Sequence, residues 1–213
     1  MKYSLAAATA TAALWMAALP ARADQQGALD QMRSFAPYQQ AVARAYQDYE
    51  SGLSTHCGSI ELAKATGHAT VIVAPQVDAG GQIVNGIWTE QTQGVACGEK
   101  RRYTALVVFK DGAPVVYPLW RGDSYASPVL QHDAMLQVAG AMGLVGASCS
   151  PEVLDTELPN GPPNGKGIPW DEKWIVRSCN KRYLVPMHFV PDSTGTGINV
   201  RGDEVVTLPA TVK

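Results

Sequence analysis

The chain has 213 residues, 46% of them apolar and 17% charged, with a formal net charge of −2 and four cysteines. That length has room for one domain or two small ones. The absence of a basic tail or sustained basic helix excludes simple electrostatic attraction to nucleic acid or to an anionic membrane.

The first 23 residues read as a secretion signal. Lys2 supplies the positive end, Leu5 to Leu19 are mostly apolar, and Ala21-Arg22-Ala23 gives the small-x-small pattern before a cut ahead of Asp24. The apolar run is too short for a membrane anchor, and no later segment approaches the roughly 20 apolar residues that span a bilayer. Cleavage removes Lys2 and Arg22, leaving residues 24–213 with a formal charge of −4 and a periplasmic or secreted destination. No cysteine stands at the cut to carry a lipid.

Asp24 to Ala36 reads as a loose beginning, with Leu29, Met32 and Phe35 folding back as a short amphipathic turn. Pro37 then opens a helix, since its missing N–H falls where no intrahelical bond is needed. Tyr38, Val42, Ala45, Tyr46 and Tyr49 line one face of that helix for docking on a sheet. After Cys57 come strands over Ala69–Ala74, Gln82–Thr92, Tyr103–Phe109 and Val115–Trp120. Asp111-Gly112 makes the last pair a hairpin, and Pro118 places the return at an edge. Ser127-Pro128 caps and opens a second helix carrying Met135, Leu136, Val138, Ala139 and Met142. Past Cys149, the proline- and glycine-rich stretch Pro151–Gly167 reads as an extended surface connection, with no equivalent of the 69–74 strand. Strands follow at Trp170–Ser178, Arg182–Phe189 and Gly197–Arg201, with one more within Asp203–Leu208.

This order contains a duplication. Trp88, Glu90, Cys97, Phe109 and Arg121-Gly122-Asp123 are echoed by Trp170, Glu172, Cys179, Phe189 and Arg201-Gly202-Asp203. Trp to Glu is two residues, Trp to Cys nine and Phe to Arg twelve in both copies, whereas Cys to Phe falls from twelve to ten. A shortened turn or a bulge is expected to absorb that difference. Related halves over about 37–123 and 128–203 imply an α+β fold with antiparallel strands, read as a single mature domain over 24–213 whose halves share a sheet or an interface, with two independently folding domains as the alternative. Four cysteines in an exported chain favour two disulfides, and the repeat selects Cys57–Cys97 and Cys149–Cys179 among the three pairings.

Candidate chemistry gathers on the repeated residues. Glu90 and Glu172, if they converge, divide acid and base work in a glycosidase, at about 5 Å for retention or roughly 6.5–9.5 Å for inversion. The competing expectation is that each accepts hydrogen bonds beside its tryptophan. Trp88 and Trp170 suit core packing or stacking on sugar, and Trp120 beside Arg121 suits a small recognition surface. The Arg-Gly-Asp triplets suit turns, with Arg121 and Arg201 as the alternative partner contacts. Lys100-Arg101-Arg102 reads as a solvated edge or a site for an acidic ligand. His56, His68, His132 and His188 are scattered, His132-Asp133 lacks a nucleophile elbow, and no spacing fixes a metal or nucleotide, so no cofactor or metal is assigned. The leading expectation is an exported binding or interaction protein of the cell envelope, with an envelope protein or glycan as partner. The alternative is a small envelope hydrolase using Glu90 and Glu172.

Overall fold

The computed structural model describes residues 22–54, 56–63 and 69–209. The expected signal peptide therefore falls, apart from Arg22 and Ala23, outside the described residues, as does His68. The α+β expectation is met by two antiparallel five-stranded sheets, each backed by helix.

The first half contains α1 (Arg22–Arg33), α2 (Ala36–Gly52), β1 (Ile60–Leu62), β2 (Ala69–Val77), β3 (Ile83–Ala96), β4 (Glu99–Lys110) and β5 (Ala113–Pro118). They make sheet A, in the order β1-β3-β4-β5 with β2 also on β3. The second half contains α3 (Pro128–Leu144), β6 (Glu152–Glu157), β7 (Trp170–Ser178), β8 (Lys181–Pro191), β9 (Thr196–Asn199) and β10 (Val206–Leu208), which make sheet B. Its order is β10-β8-β7-β6, with β9 also on β8. Among the described residues no helix is long and apolar enough to cross a membrane.

Three segments depart from the sequence reading, the shortest being β1, a three-residue strand that pairs with the end of β3. The stretch expected to be loose is α1, and it closes on the core through Leu29 and Met32, both buried, while Phe35 stays exposed. Two apolar residues one turn apart suffice when a neighbouring helix and sheet receive them. Within Pro151–Gly167, Glu152–Glu157 is strand β6, paired with β7. Its burial pattern lacks strict alternation because a register shift falls between Val153 and Asp155. It stands where β1 stands in sheet A, directly after the first cysteine of its half, and β2 has no counterpart.

Both expected disulfides are present, and each closes within its own half. Cys97 and Cys179 sit at left-handed positions (φ 51° and 53°) opening the two-residue turns of the β3–β4 and β7–β8 hairpins. Their partners, Cys57 and Cys149, immediately precede β1 and β6. Each bond thus ties a hairpin tip to the entry of the edge strand, closing loops whose cross-linking is worth about 3–4 kcal/mol in the chain-entropy account.

Pairing register also settles what the repeat is. The β3–β4 and β7–β8 ladders run without a shift and superpose at one constant offset: Glu90 faces Ala105 as Glu172 faces Met187. Trp, Glu and Cys share that offset of 82, and so do the β4–β5 and β8–β9 ladders. Phe109 with Phe189 and the two Arg-Gly-Asp triplets are offset by 80. No bulge or shortened turn absorbs the difference. The residue opposite Trp170 is Phe189, whereas the residue opposite Trp88 is Val107, so the phenylalanines and the triplets are not structural counterparts.

Each sheet keeps its own core. Trp88, Tyr103, Val107 and Phe109 pack against Tyr38, Val42 and Tyr46 of α2, with Tyr46 and Tyr103 ring centroids 4.7 Å apart. Trp174, Val185, Met187 and Phe189 pack against Ala134, Val138 and Met142 of α3. Ser127 caps α3 by accepting from the Leu130 N–H, as its place before Pro128 implies.

Candidate functional site

The repeated glutamates lie on the inner, core-facing side of their sheets, because a strand sends alternate side chains to one face and each follows its tryptophan by two. Glu90 is 3% exposed and Glu172 1%. A buried carboxylate needs donors, and both have them. Tyr38 Oη donates to Glu90 Oε2 at 2.8 Å, the Trp88 indole donates to the same oxygen at 3.3 Å, and Arg33 Nε reaches Oε1 at 3.3 Å. Burial, and then the adjacent Glu90 charge, push the Tyr38 phenol far above its ordinary range.

Glu172 is held differently. The Trp170 indole donates to Oε1 at 3.0 Å and the Trp174 indole to Oε2 at 2.8 Å, while the backbone N–H groups of Tyr125 and Ala126 reach Oε1 at 2.9 and 3.2 Å. Glu90 thus anchors α1 and α2 to sheet A, and Glu172 anchors the approach to α3 onto sheet B. Among the described residues the two carboxylates share no partner: Glu90 is held from α1, α2 and β3, and Glu172 from β7 and the segment leading into α3, beside separate apolar clusters. The acceptor positions face fixed structural donors, an arrangement that locks helices to sheets.

The other candidates disperse. Trp88 is fully buried and stacks on Phe109 at 6.3 Å; Trp170 stacks on Phe189 at 4.8 Å and meets the exposed Tyr125 edge-on at 5.1 Å. Trp120 packs partly buried against the second core, its backbone N–H bonded to Gln131 Oε1. Arg121 is a buried cation between the halves, bonded to Glu50 Oε1 at 2.9 Å and to the Leu154 carbonyl at 2.8 Å. Tyr103 Oη donates to the same Glu50 oxygen at 2.9 Å. Arg201, by contrast, is exposed and pairs locally with Asp203 and Glu204. Arg101 and Arg102 are occupied by Glu99 and Asp123.

Glu50 was not legible as a site residue, because on α2 it reads as one more exposed helix glutamate. The signal available was that it falls one turn past Tyr46 on the apolar face. A His188–Asp171 pair, Nδ1 to Oδ1 2.6 Å, also escaped the sequence reading, since it is formed by cross-strand register. The cleft of about 940 Å³ beside it contains no serine, threonine or cysteine in its lining. His132 and Asp133 are exposed on α3, and His56 Nδ1 bonds the Ser51 carbonyl. Among the described residues no three His, Cys, Asp or Glu side chains gather as a metal site.

What the geometry does bring together is apolar surface. On the outer side of sheet A, Val73 pairs with Ile87, Ile87 with Val108, and Val108 with Val115; the next row contains Thr89, Leu106 and Tyr117. Ile72, Val73, Val115 and Tyr117 are 54%, 46%, 45% and 52% exposed, and no charged residue interrupts these rows. The same positions of sheet B, at the offset of 82, contain Asp171, His188 and Asn199 in the row matching Thr89, Leu106 and Tyr117. In that row one half presents polar and charged side chains where the other presents Thr89, Leu106 and Tyr117, while the outer face of sheet B has an apolar row of its own in Ile175, Leu184 and Val206. No family model, curated protein or solved structure matches the chain.

Proposed function

We propose that this chain is an exported, disulfide-braced binding protein of the cell envelope that works without covalent catalysis. The apolar rows on the outer face of sheet A, Val73-Ile87-Val108-Val115 and Leu106-Tyr117, carry the reading. An antiparallel sheet with one solvated face normally alternates apolar and polar residues, and a contiguous apolar patch on a folded surface marks an interaction site. Export is supported by the signal-like start and by two closed disulfides, which persist in oxidising compartments. The apolar rows contain a single aromatic residue, Tyr117, so a protein surface suits them better than a glycan, which would need aromatic platforms with polar groups converging around them. The hydrolase alternative loses support because Glu90 and Glu172 each spend their acceptors on fixed donors.

Covalent footprinting of Ile72, Val115 and Tyr117 in envelope fractions, against the dilute purified protein, tests this. Protection in the envelope is expected, with no glycan turnover by the wild type. Equal labelling in both settings would remove the reading. Turnover lost in Glu90→Gln or Glu172→Gln with the fold intact would replace it with the hydrolase.

A further inference from the structure

We infer that the cleft where the outer face of sheet A meets the second half binds a small, flat, ring-bearing monoanion. The cleft has a volume of about 480 Å³, inside the range of small-molecule sites, and it lies between two built units, where such sites concentrate. Sheet A supplies Thr70 and Ile72 from β2 and Thr89 from β3; the other wall has Tyr125 on the approach to α3, with Ile168 and Trp170 at the entry of β7. Strand β2 has no counterpart in sheet B, so the shared scaffold forms this cleft once.

The lining sets the shape of the ligand. Tyr125 and Ile168 are half-exposed on one wall and Ile72 on the other, and Tyr125 meets the buried Trp170 edge-on at 5.1 Å. A ring entering between an aromatic pair and branched aliphatic side chains gains stacking and apolar burial together. Hydroxyls supply the polar contacts. Thr70 and Thr89 are cross-strand partners, and neither of their hydroxyls, nor that of Tyr125, has a hydrogen-bond partner among the described residues. Each can turn to donate or accept.

Lys166 sets the sign of its charge. Among the described residues it is the one charged side chain of the lining, and no carboxylate joins it there. The seam cations Arg102 and Arg121 are paired with Asp123 and Glu50, whereas Lys166 has no carboxylate partner among the described residues. The turn that carries it is specified. Gly165 and Gly167 on either side have φ 131° and 74°, where a side chain would be strained, and the Gly165 N–H bonds the Pro163 carbonyl at 3.0 Å. An anionic group on the ligand therefore meets a complementary ammonium, and a cationic group meets repulsion.

The test is titration of the oxidised protein with naphthoate, naphthamide and naphthylmethylamine, one flat body with a negative, a neutral and a positive group, followed by backbone amide NMR shifts. Naphthoate is expected to saturate one site with a Kd of about 1 mM or tighter, as suits its size, with shifts centred on Ile72, Thr89 and Gly167. Naphthamide should bind about threefold or more weakly, and the amine more weakly still. Lys166→Gln should abolish the preference for naphthoate with melting unchanged, and Tyr125→Ala should weaken both it and naphthamide. Lys110→Gln, at the β4–β5 hairpin tip, should alter neither. Failure of naphthoate to saturate by ~10 mM, or shifts centred elsewhere, overturns the inference. So do equal affinities for naphthoate and naphthamide, or a Lys166→Gln variant that still prefers naphthoate. None of these results bears on the protein partner of the apolar rows, which footprinting reads separately.

Discussion

The two Arg-Gly-Asp triplets look alike in sequence and do opposite things. Arg121 is 2% exposed and spans the seam between the halves, whereas Arg201 lies on the surface and pairs with its own neighbours. Gly122 has φ 94° and forms a parallel bridge to Thr156. Its N–H bonds the Arg102 carbonyl, so this triplet runs beside the start of β4 much as β10 runs beside the start of β8. Gly202 sits one step earlier, in a 3-10 turn before β10. A motif match counts residues, whereas a sheet counts register, and a two-residue disagreement moves an arginine from solvent to the centre of the molecule.

That seam is what the first triplet builds. Around Arg121 and Glu50, the Asp123 N–H bonds the Thr156 carbonyl at 2.8 Å, and the Thr156 hydroxyl bonds the Arg121 carbonyl at 2.8 Å. Nearby, the Ser54 hydroxyl and N–H both donate to Glu152, at 2.6 and 2.9 Å.

The sharpest way to break the comparison is at the glycines. A Cβ on Gly122 would lie 2.1 Å from the Thr156 carbonyl oxygen, whereas on Gly202 it would meet only the Leu144 side chain, at 3.1 Å. Gly122→Ala is expected to lose about 4 kcal/mol or more in urea unfolding, from clash plus left-handed strain, and Gly202→Ala under ~1 kcal/mol. Arg121→Ala comes next. It strands the fully buried Glu50 and should cost about 3–5 kcal/mol, while Arg201→Ala should fall within ~0.5 kcal/mol. Similar losses from the two arginines would mean the triplets are equivalent after all.

Within the scaffold the halves do share, Glu172→Gln turns one acceptor oxygen into a donor among fixed N–H groups and should cost about 2–3 kcal/mol by the same measurement. Glu90→Gln should lose less, since the Tyr38 hydroxyl can reorient. The smallest effect is in pH. Burial opposes ionisation of Glu152, but the bonds from Ser54 and then Arg177 outweigh it and hold its carboxyl below the ordinary glutamate range. Between its folded and unfolded pKa the unfolded chain binds more protons, so stability rises with pH there. The contribution is complete above the unfolded value and is lost as pH falls through the folded one. Glu152→Gln should flatten the acid limb of a melting-temperature profile; an unchanged limb contradicts this.

Both disulfides, the strands from Trp170 to Phe189, the Ser127 cap of α3 and the Trp-x-Glu echo were legible because they rest on local chemistry and fixed spacing. Strand β6 was hidden by its register shift, and α1 because its burial depends on what receives it. The candidate site was less legible. Nothing in the residues around Thr89 and Leu106 shows that their face lies uncovered, and Glu50 reveals its role only once Arg121 meets it across 71 positions of sequence. Phe109 and Phe189 match by residue type alone, whereas the ladders place Phe189 where Val107 stands.

The Arg121–Glu50 seam joins the two similarly built halves, and unfolding as one cooperative unit is its expected consequence. Hydrogen exchange in stepped urea, followed on peptides from β3–β4 and from β7–β8, tests it most directly. A common midpoint and slope for both sets is the predicted result, and two separated midpoints would contradict it.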